Sequence, residues 1–237
     1  MTAALEISGV VKDYNGLRPL RIEQLTALPG EQIAVLGLDA PSAEILVNLI
    51  TGTSLPDRGE IRVLGELTSN IRDSDEWMTF VDRLGIVSER AVLLDALSVV
   101  QNLAIPFSLD VEPLSPDLKM RAVTLAQEVG LVPSVLDGPV GGLEQALRVR
   151  VRLGRALALS PALVLIEHPS VNVGRDQIAP LGRDIRATIA KRGATGLTLT
   201  ADTELAQAIA DRALKLEPAT GHLTPLRASW LDRFRNR

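Results

Sequence analysis

Residues 33–52 read Ile-Ala-Val-Leu-Gly-Leu-Asp-Ala-Pro-Ser-Ala-Glu-Ile-Leu-Val-Asn-Leu-Ile-Thr-Gly. An apolar strand at 33–36 runs into a turn beginning at Gly37, and an apolar helix follows to Gly52. This is the frame of a phosphate-binding loop, G-x-x-x-x-G-K-[ST]. In such a loop backbone N–H groups cradle phosphates, the lysine neutralises them and the hydroxyl holds magnesium. Here the closing triplet is Ser42-Ala43-Glu44, so alanine replaces the lysine and a carboxylate replaces the hydroxyl. Pro41 removes one backbone donor, and Asp39 and Glu44 bring negative charge to a seat built for a polyanion. A carboxylate ~5 Å from a phosphate oxygen costs on the order of 3 kcal/mol at an effective dielectric near ~20. The residues predict a retained frame with its polyphosphate affinity lowered by several powers of ten.

The surrounding pattern is an α/β alternation. Short strands are expected within 4–14 and 19–36, with Pro29-Gly30 turning between the second and third. A helix at about 43–51 leads to a turn and strand within 55–65, a helix at 73–83 and a buried strand at 84–87. From 98 to 160 the pattern is helical, broken early by Pro106, Pro113 and Pro116. The run 162–166, Ala-Leu-Val-Leu-Ile, is wholly apolar, as in central parallel strands. Helix 176–191, strand 196–200, helix 202–211 and strand 212–217 continue the alternation.

The 237 residues allow one well-filled domain, and with 3% aromatics its core must be aliphatic. A net charge of −4 gives no case for nucleic-acid binding. The chain has no cysteine, which excludes disulfides and thiolate sites, and His168 and His222 lie too far apart in sequence to suggest a histidine metal cluster. The start shows no signal-peptide pattern, and no stretch approaches the ~18 apolar residues of a membrane span. A soluble, cytoplasmic chain is expected.

Five framework segments, in order, resemble the ATP-binding subunit of ABC transporters over about residues 4–222. They are Gly30-Glu31, Ile50-Thr51-Gly52, Pro56-Asp57-Arg58-Gly59-Glu60-Ile61, Arg155-Ala156-Leu157-Ala158-Leu159-Ser160-Pro161, and Asp202 to Ala206 with Ala210-Asp211-Arg212. The resemblance implies a P-loop NTPase-like α/β fold with a parallel sheet core, N-terminal antiparallel strands and an inserted helical subdomain. It implies one domain with a nucleotide-binding lobe at about 1–90 and 155–225, a helical lobe at about 95–154 and a tail at 226–237.

The family's functional positions carry different residues here. The magnesium-holding aspartate and the glutamate that polarises the attacking water correspond to Glu167 and His168. A neutral imidazole can accept a proton, so His168 is kept as an alternative base. The signature loop L-S-G-G-Q corresponds to Leu143-Glu144-Gln145-Ala146-Leu147. A shifted match to Gly141-Gly142 would put Arg150 and Arg155 out of register. The glutamine that links magnesium to the membrane partner is Glu89, the interface aspartate is Gly174, and the switch histidine is Ala201. Tyr14 stands at the adenine-stacking position, where an aromatic is equally a packing residue. Tyr14, Gly37, Ala43, Glu44 and Glu89 are therefore the nucleotide-site positions. Glu167 and His168 are the catalytic ones, no metal ligand set is assigned, and bound ATP and magnesium are not expected.

This chain lacks its own phosphate loop and also the signature it would lend a partner cassette, so it would compromise both sites of a dimer. The expectation is a pseudo-ATPase beside a permease-like membrane protein, peripheral to the inner membrane face, as a homo- or heterodimer and without nucleic acid. The alternatives are an unorthodox ATPase that energises transport and a soluble scaffold with no membrane partner. A groove lined by about Glu89–Phe107 would receive the permease. Gln101 to Pro106 resembles subfamilies serving lipid and lipoprotein trafficking or cell-division permeases. Arg148, Arg152 and Arg155 share one helix face, read as a solvated face with local ion pairs, with a basic docking stripe as the other reading. Trp230, Leu231 and Phe234 are expected to fold the basic tail back onto the domain, with contact to an anionic membrane surface or a partner as the other reading.

Overall fold

The strand Gln32–Leu36 (β3) is buried at every residue and sits inside a six-stranded sheet. The computed structural model describes residues 2–226, and the tail with Trp230, Leu231 and Phe234 lies outside them. In chain order the elements before β3 are β1 (Leu5–Lys12) and β2 (Leu20–Ala27). After it come α1 (Ala40–Ile50), β4 (Arg58–Val63), β5 (Glu66–Leu67), α2 (Ser74–Val81) and β6 (Leu84–Val87). The helical block holds α3 (Val99–Ala104), α4 (Pro116–Glu128) and α5 (Gln145–Leu157). The chain then returns through β7 (Leu163–Glu167), α6 (Arg175–Lys191), β8 (Thr195–Leu199), α7 (Thr203–Ile209), β9 (Arg212–Leu216) and β10 (Leu223–Pro225).

The large sheet has the order β10-β9-β3-β8-β7-β6. All its pairs are parallel except β10 with β9. Strands without polar alternation are what a sheet covered on both faces requires, and alternate residues of β3 enter two separate cores. Ile33 and Val35 join α1 residues Leu46 and Leu49 and the buried side of β1 and β2, so α1 is packed between the two sheets. Ala34 and Leu36 join Val164, Ile166, α6 and the helical block through Leu103, Leu125 and Leu153. Each fully buried leucine or isoleucine contributes about 1.5–3 kcal/mol of transfer free energy.

The second sheet, β2-β1-β4-β5, is antiparallel throughout. Its register shifts between Ser8 and Val11 of β1 opposite β4. Gly59 lies there with φ +78°, and a Cβ at that residue would come within 2.4 Å of the Gly9 carbonyl carbon. Only glycine fits this close crossing.

Helix α1 begins at Ala40, three residues before the expected start, because Asp39 caps it and Pro41 sits in its first turn. The short antiparallel β10 has no counterpart in the sequence reading. Among the described residues no helix is long and apolar enough to cross a membrane.

Candidate functional site

Strand β3 delivers the chain to Gly37, whose φ is +99°. A Cβ there would meet the Leu216 carbonyl oxygen at 2.6 Å, so the turn admits no side chain. Asp39 follows as the N-cap of α1. The Ser42 N–H donates to Asp39 Oδ1 at 2.9 Å, and the Ser42 hydroxyl donates to the same oxygen. These two bonds, the hydroxyl's first, hold the Asp39 carboxyl below its ordinary value. The first turn of a helix gathers unpaired N–H groups that attract an anion. In this chain that anion is the carboxylate of Asp39. Ala43 is 0% exposed and packs into the apolar cluster around α1.

Glu167 closes β7 and is only 8% exposed. Arg90 grips it as a fork, with Nη2 bonded to Oε1 and Nε 3.3 Å from Oε2. The Ser88 hydroxyl adds a bond to Glu167 Oε2 at 3.2 Å and accepts the Arg90 N–H at 3.1 Å. Arg90 Nη1 also reaches Glu44 Oε1 at 3.3 Å and lies 3.5 Å from Asn48 Oδ1, both on α1. One guanidinium therefore joins the end of β7 to the phosphate-loop helix. A bidentate arginine–carboxylate pair is among the stronger and more directional polar contacts.

Glu44, Ser88, Arg90, Glu167, His168 and Ala201 line a cleft of about 480 Å³. His168 has φ +43° and its N–H donates to the Leu199 carbonyl at 2.8 Å, while its Nε2 is buried without a partner. Glu89 lies at the rim and accepts a bond from Gln145 Nε2 at 2.8 Å, which ties it to the first turn of α5. Tyr14 and Gly37 line an adjoining cavity of about 530 Å³ with Asp39 and Ser42. Burial, and then the charge of Asp39, raises the Tyr14 phenol above its ordinary pKa.

The structure thus brings Glu44, Glu89, Glu167 and His168 into one cleft, with Tyr14 and Gly37 in the next. Ala43 lines neither. Gly174 caps α6 and takes no part in the cleft. A further cavity of about 750 Å³ lies beside β5 and α2 and contains none of these residues.

Two points differ from the sequence reading. Arg148, Arg152 and Arg155 do not form a solvated face, because loop 89–95 folds over them. Arg148 pairs with Asp95 at 2.9 Å, Arg155 donates to the Val92 carbonyl at 2.7 Å, and Arg152 is 7% exposed. Arg152 Nε and Nη1 are buried without partners. Burial lowers the pKa of Arg152 and of Arg155, and the charge of Arg152 lowers Arg155 further. The second point is Arg90, which the sequence reading did not single out. Its signal was a basic residue directly after Gly85-Ile86-Val87-Ser88-Glu89, but its partner lies 77 residues away.

The chain is 30% identical over 227 residues to the lipoprotein-releasing system ATP-binding protein LolD of Maricaulis maris, across 93% of this chain and 96% of that protein. LolD of Anaeromyxobacter dehalogenans is 32% identical over 212 residues, across 86% of this chain and 87% of that protein. Among solved structures, cbiO1 from Clostridium perfringens, described as part of the ABC transporter complex cbiONQ, is similar with a TM-score of 0.79 at 18% identity. That match spans 99% of this chain and 92% of that one. The ATP-binding cassette MJ0796 bound to ADP and Pi matches with a TM-score of 0.73 at 20% identity, over 94% of this chain and 99% of that one. No protein-family model matches the chain. The structures establish the fold and the sequence relatives establish the kinship: the chain belongs to the ATP-binding cassette family, the ATP-binding subunits of ABC transporters.

Proposed function

We propose that this chain is an ABC-type subunit that has lost nucleotide-driven closure and acts as a structural or regulatory partner of a permease-like membrane protein. The observation that carries this reading is the Asp39 carboxylate on the first turn of α1. Magnesium-bound ATP needs free N–H donors at that turn, a cation beside them and open carboxylate oxygens for the metal. Here a carboxylate takes the Ser42 N–H, Pro41 supplies none, Ala43 replaces the lysine and Arg90 holds the oxygens of Glu167. The residues present do not fit Mg-ATP.

The partner follows by kinship. The relatives are named for lipoprotein release, and cbiO1 is part of a transporter complex. A permease-like partner places this chain at the inner face of a membrane, as a homo- or heterodimer, gripped through the groove beside Glu89–Phe107. Gln101 to Pro106, with its resemblance to lipid and lipoprotein subfamilies, fits those relatives. The same proposal divides the chain into a lobe at 1–90 and 155–225 and a helical lobe at 95–154.

Calorimetric titration with Mg-ATP, beside an intact family member, tests this directly. Absence of heat at millimolar nucleotide supports it, and micromolar binding overturns it. A second reading, an active ATPase energising transport, is favoured by the relatives being ATP-binding proteins and by the unpartnered His168 Nε2 next to Glu167. Magnesium-dependent turnover abolished by Glu167→Gln would establish it.

A further inference from the structure

The Arg90 guanidinium, 40% exposed, faces a cluster of oxygens on its protein side. It meets both oxygens of Glu167, one oxygen of Glu44 and the amide oxygen of Asn48. The Ser88 hydroxyl completes the group by bonding Glu167 and the Arg90 N–H together. Carboxylate, amide and hydroxyl oxygens are the ligands preferred by small hard divalent cations. The positive charge at their centre belongs to the chain.

We propose that Arg90 is a built-in cation that occupies a latent divalent-metal position between Glu44 and Glu167 and holds loop 88–95 in place without metal or nucleotide. The physical logic is substitution of one counter-ion by another. Glu167 is nearly buried, and a buried carboxylate without a counter-charge is strongly unfavourable. A diffusible ion would satisfy it only when bound, whereas Arg90, on the loop that leaves β6, satisfies it permanently. The loop it anchors carries Val92 and Leu94, 65% and 48% exposed. The backbone of that loop is held from below by Arg155 at the Val92 carbonyl and by Asn102 at Leu94. The apolar rim of Val92 and Leu94 is thereby held by bonds internal to the chain.

This inference deepens the pseudo-ATPase reading and rests on it for its biological sense, but its test contains no nucleotide. Manganese serves as the probe, followed by loss of the free-ion electron paramagnetic resonance signal and by thermal melting. Wild-type chain is expected to leave millimolar Mn²⁺ free. Arg90→Gln is expected to bind one ion per chain at least about tenfold more tightly than wild type, since a fixed positive charge has left the site, and to gain thermal stability with Mn²⁺. Arg90→Gln combined with Glu167→Gln is expected to lose that binding. Folded Arg90→Gln that binds Mn²⁺ no better than wild type overturns the proposal. So does one tight Mn²⁺ per wild-type chain, a result obtainable even if Arg90→Gln does not fold. As a second readout, Glu167→Gln in the otherwise wild-type chain should speed amide exchange over residues 88–95, and unchanged protection there counts against the anchor. Mg-ATP calorimetry on wild type decides the pseudo-ATPase reading separately.

Discussion

Arg192 and Glu128 meet as two parallel forks, with Nε to Oε1 and Nη2 to Oε2 both at 2.6 Å. Arg192 also donates to the Leu157 carbonyl at 2.7 Å, so one side chain fastens the ends of α4, α5 and α6 together. The Arg192 bond is the main reason the Glu128 carboxyl lies below its ordinary value of 4.5. Glu128→Gln should cost about 1–3 kcal/mol, less than a fully buried pair because both side chains keep some solvent contact. The sign of the pH effect follows from the depressed pKa. The contribution is complete above the ordinary carboxylate value and is lost as pH falls through the lower folded value. Urea midpoints at neutral and acidic pH should therefore show a gap between wild type and Glu128→Gln that closes on acidification.

Removal of the α1 cap separates the cap's hydrogen bond from its charge. Asp39→Ala should lower stability by about 1 kcal/mol, the usual value of an N-cap acceptor. Asp39→Asn, which keeps an acceptor for the Ser42 N–H, should cost only a few tenths. Thermal melts of the two variants distinguish them, and equal losses would mean that the charge, rather than the hydrogen bond, stabilises the turn.

Asn102 is fully buried and braces loop 94–98 from within. Its Oδ1 accepts the Leu94 N–H at 2.9 Å, and its Nδ2 donates to the Leu94 and Ser98 carbonyls at 3.0 and 3.1 Å. Asn102→Leu keeps the volume but strands those backbone groups, at a cost of about 2–4 kcal/mol. Hydrogen exchange should locate the loosening at residues 94–98 rather than in the central sheet.

Arg152 presents the opposite case, a buried cation with two unpartnered nitrogens. Arg152→Met should leave stability unchanged or raise it by about 1–3 kcal/mol, since an apolar chain of similar length avoids the desolvation penalty. A clear loss of stability in denaturant titration would show that Arg152 interacts more strongly with Glu89 and Asp95 than its bonding suggests.

The sequence was most readable where local rules govern. The apolar runs at 33–36 and 162–166 became central parallel strands because no polar alternation lets a strand face water. Gly37 marked a turn that admits no Cβ. Local chemistry also held information that went unused, since Asp39 three residues before Ser42 is an N-cap pattern. Long-range pairing was hidden. Nothing near Arg90 in the chain points to Glu167, and nothing near Arg152 announces that loop 89–95 covers it. Helical periodicity put the three arginines on one face, but it could not say which face the loop would choose. Strand β10 escaped because its three residues pair only with β9, and its Pro225 is tolerated there at the sheet edge.

The Ala43 methyl group lies in a filled apolar cluster beside Leu46 and Val47, with no exposed surface. Ala43→Lys would force a long cationic stem into occupied space, at about 1–3 kcal/mol for overpacking alone. Arg90 would still hold Glu167, and Asp39 would still cap the helix. A phosphate seat at this turn would therefore need several coordinated substitutions, at Ala43, Asp39 and Arg90 together.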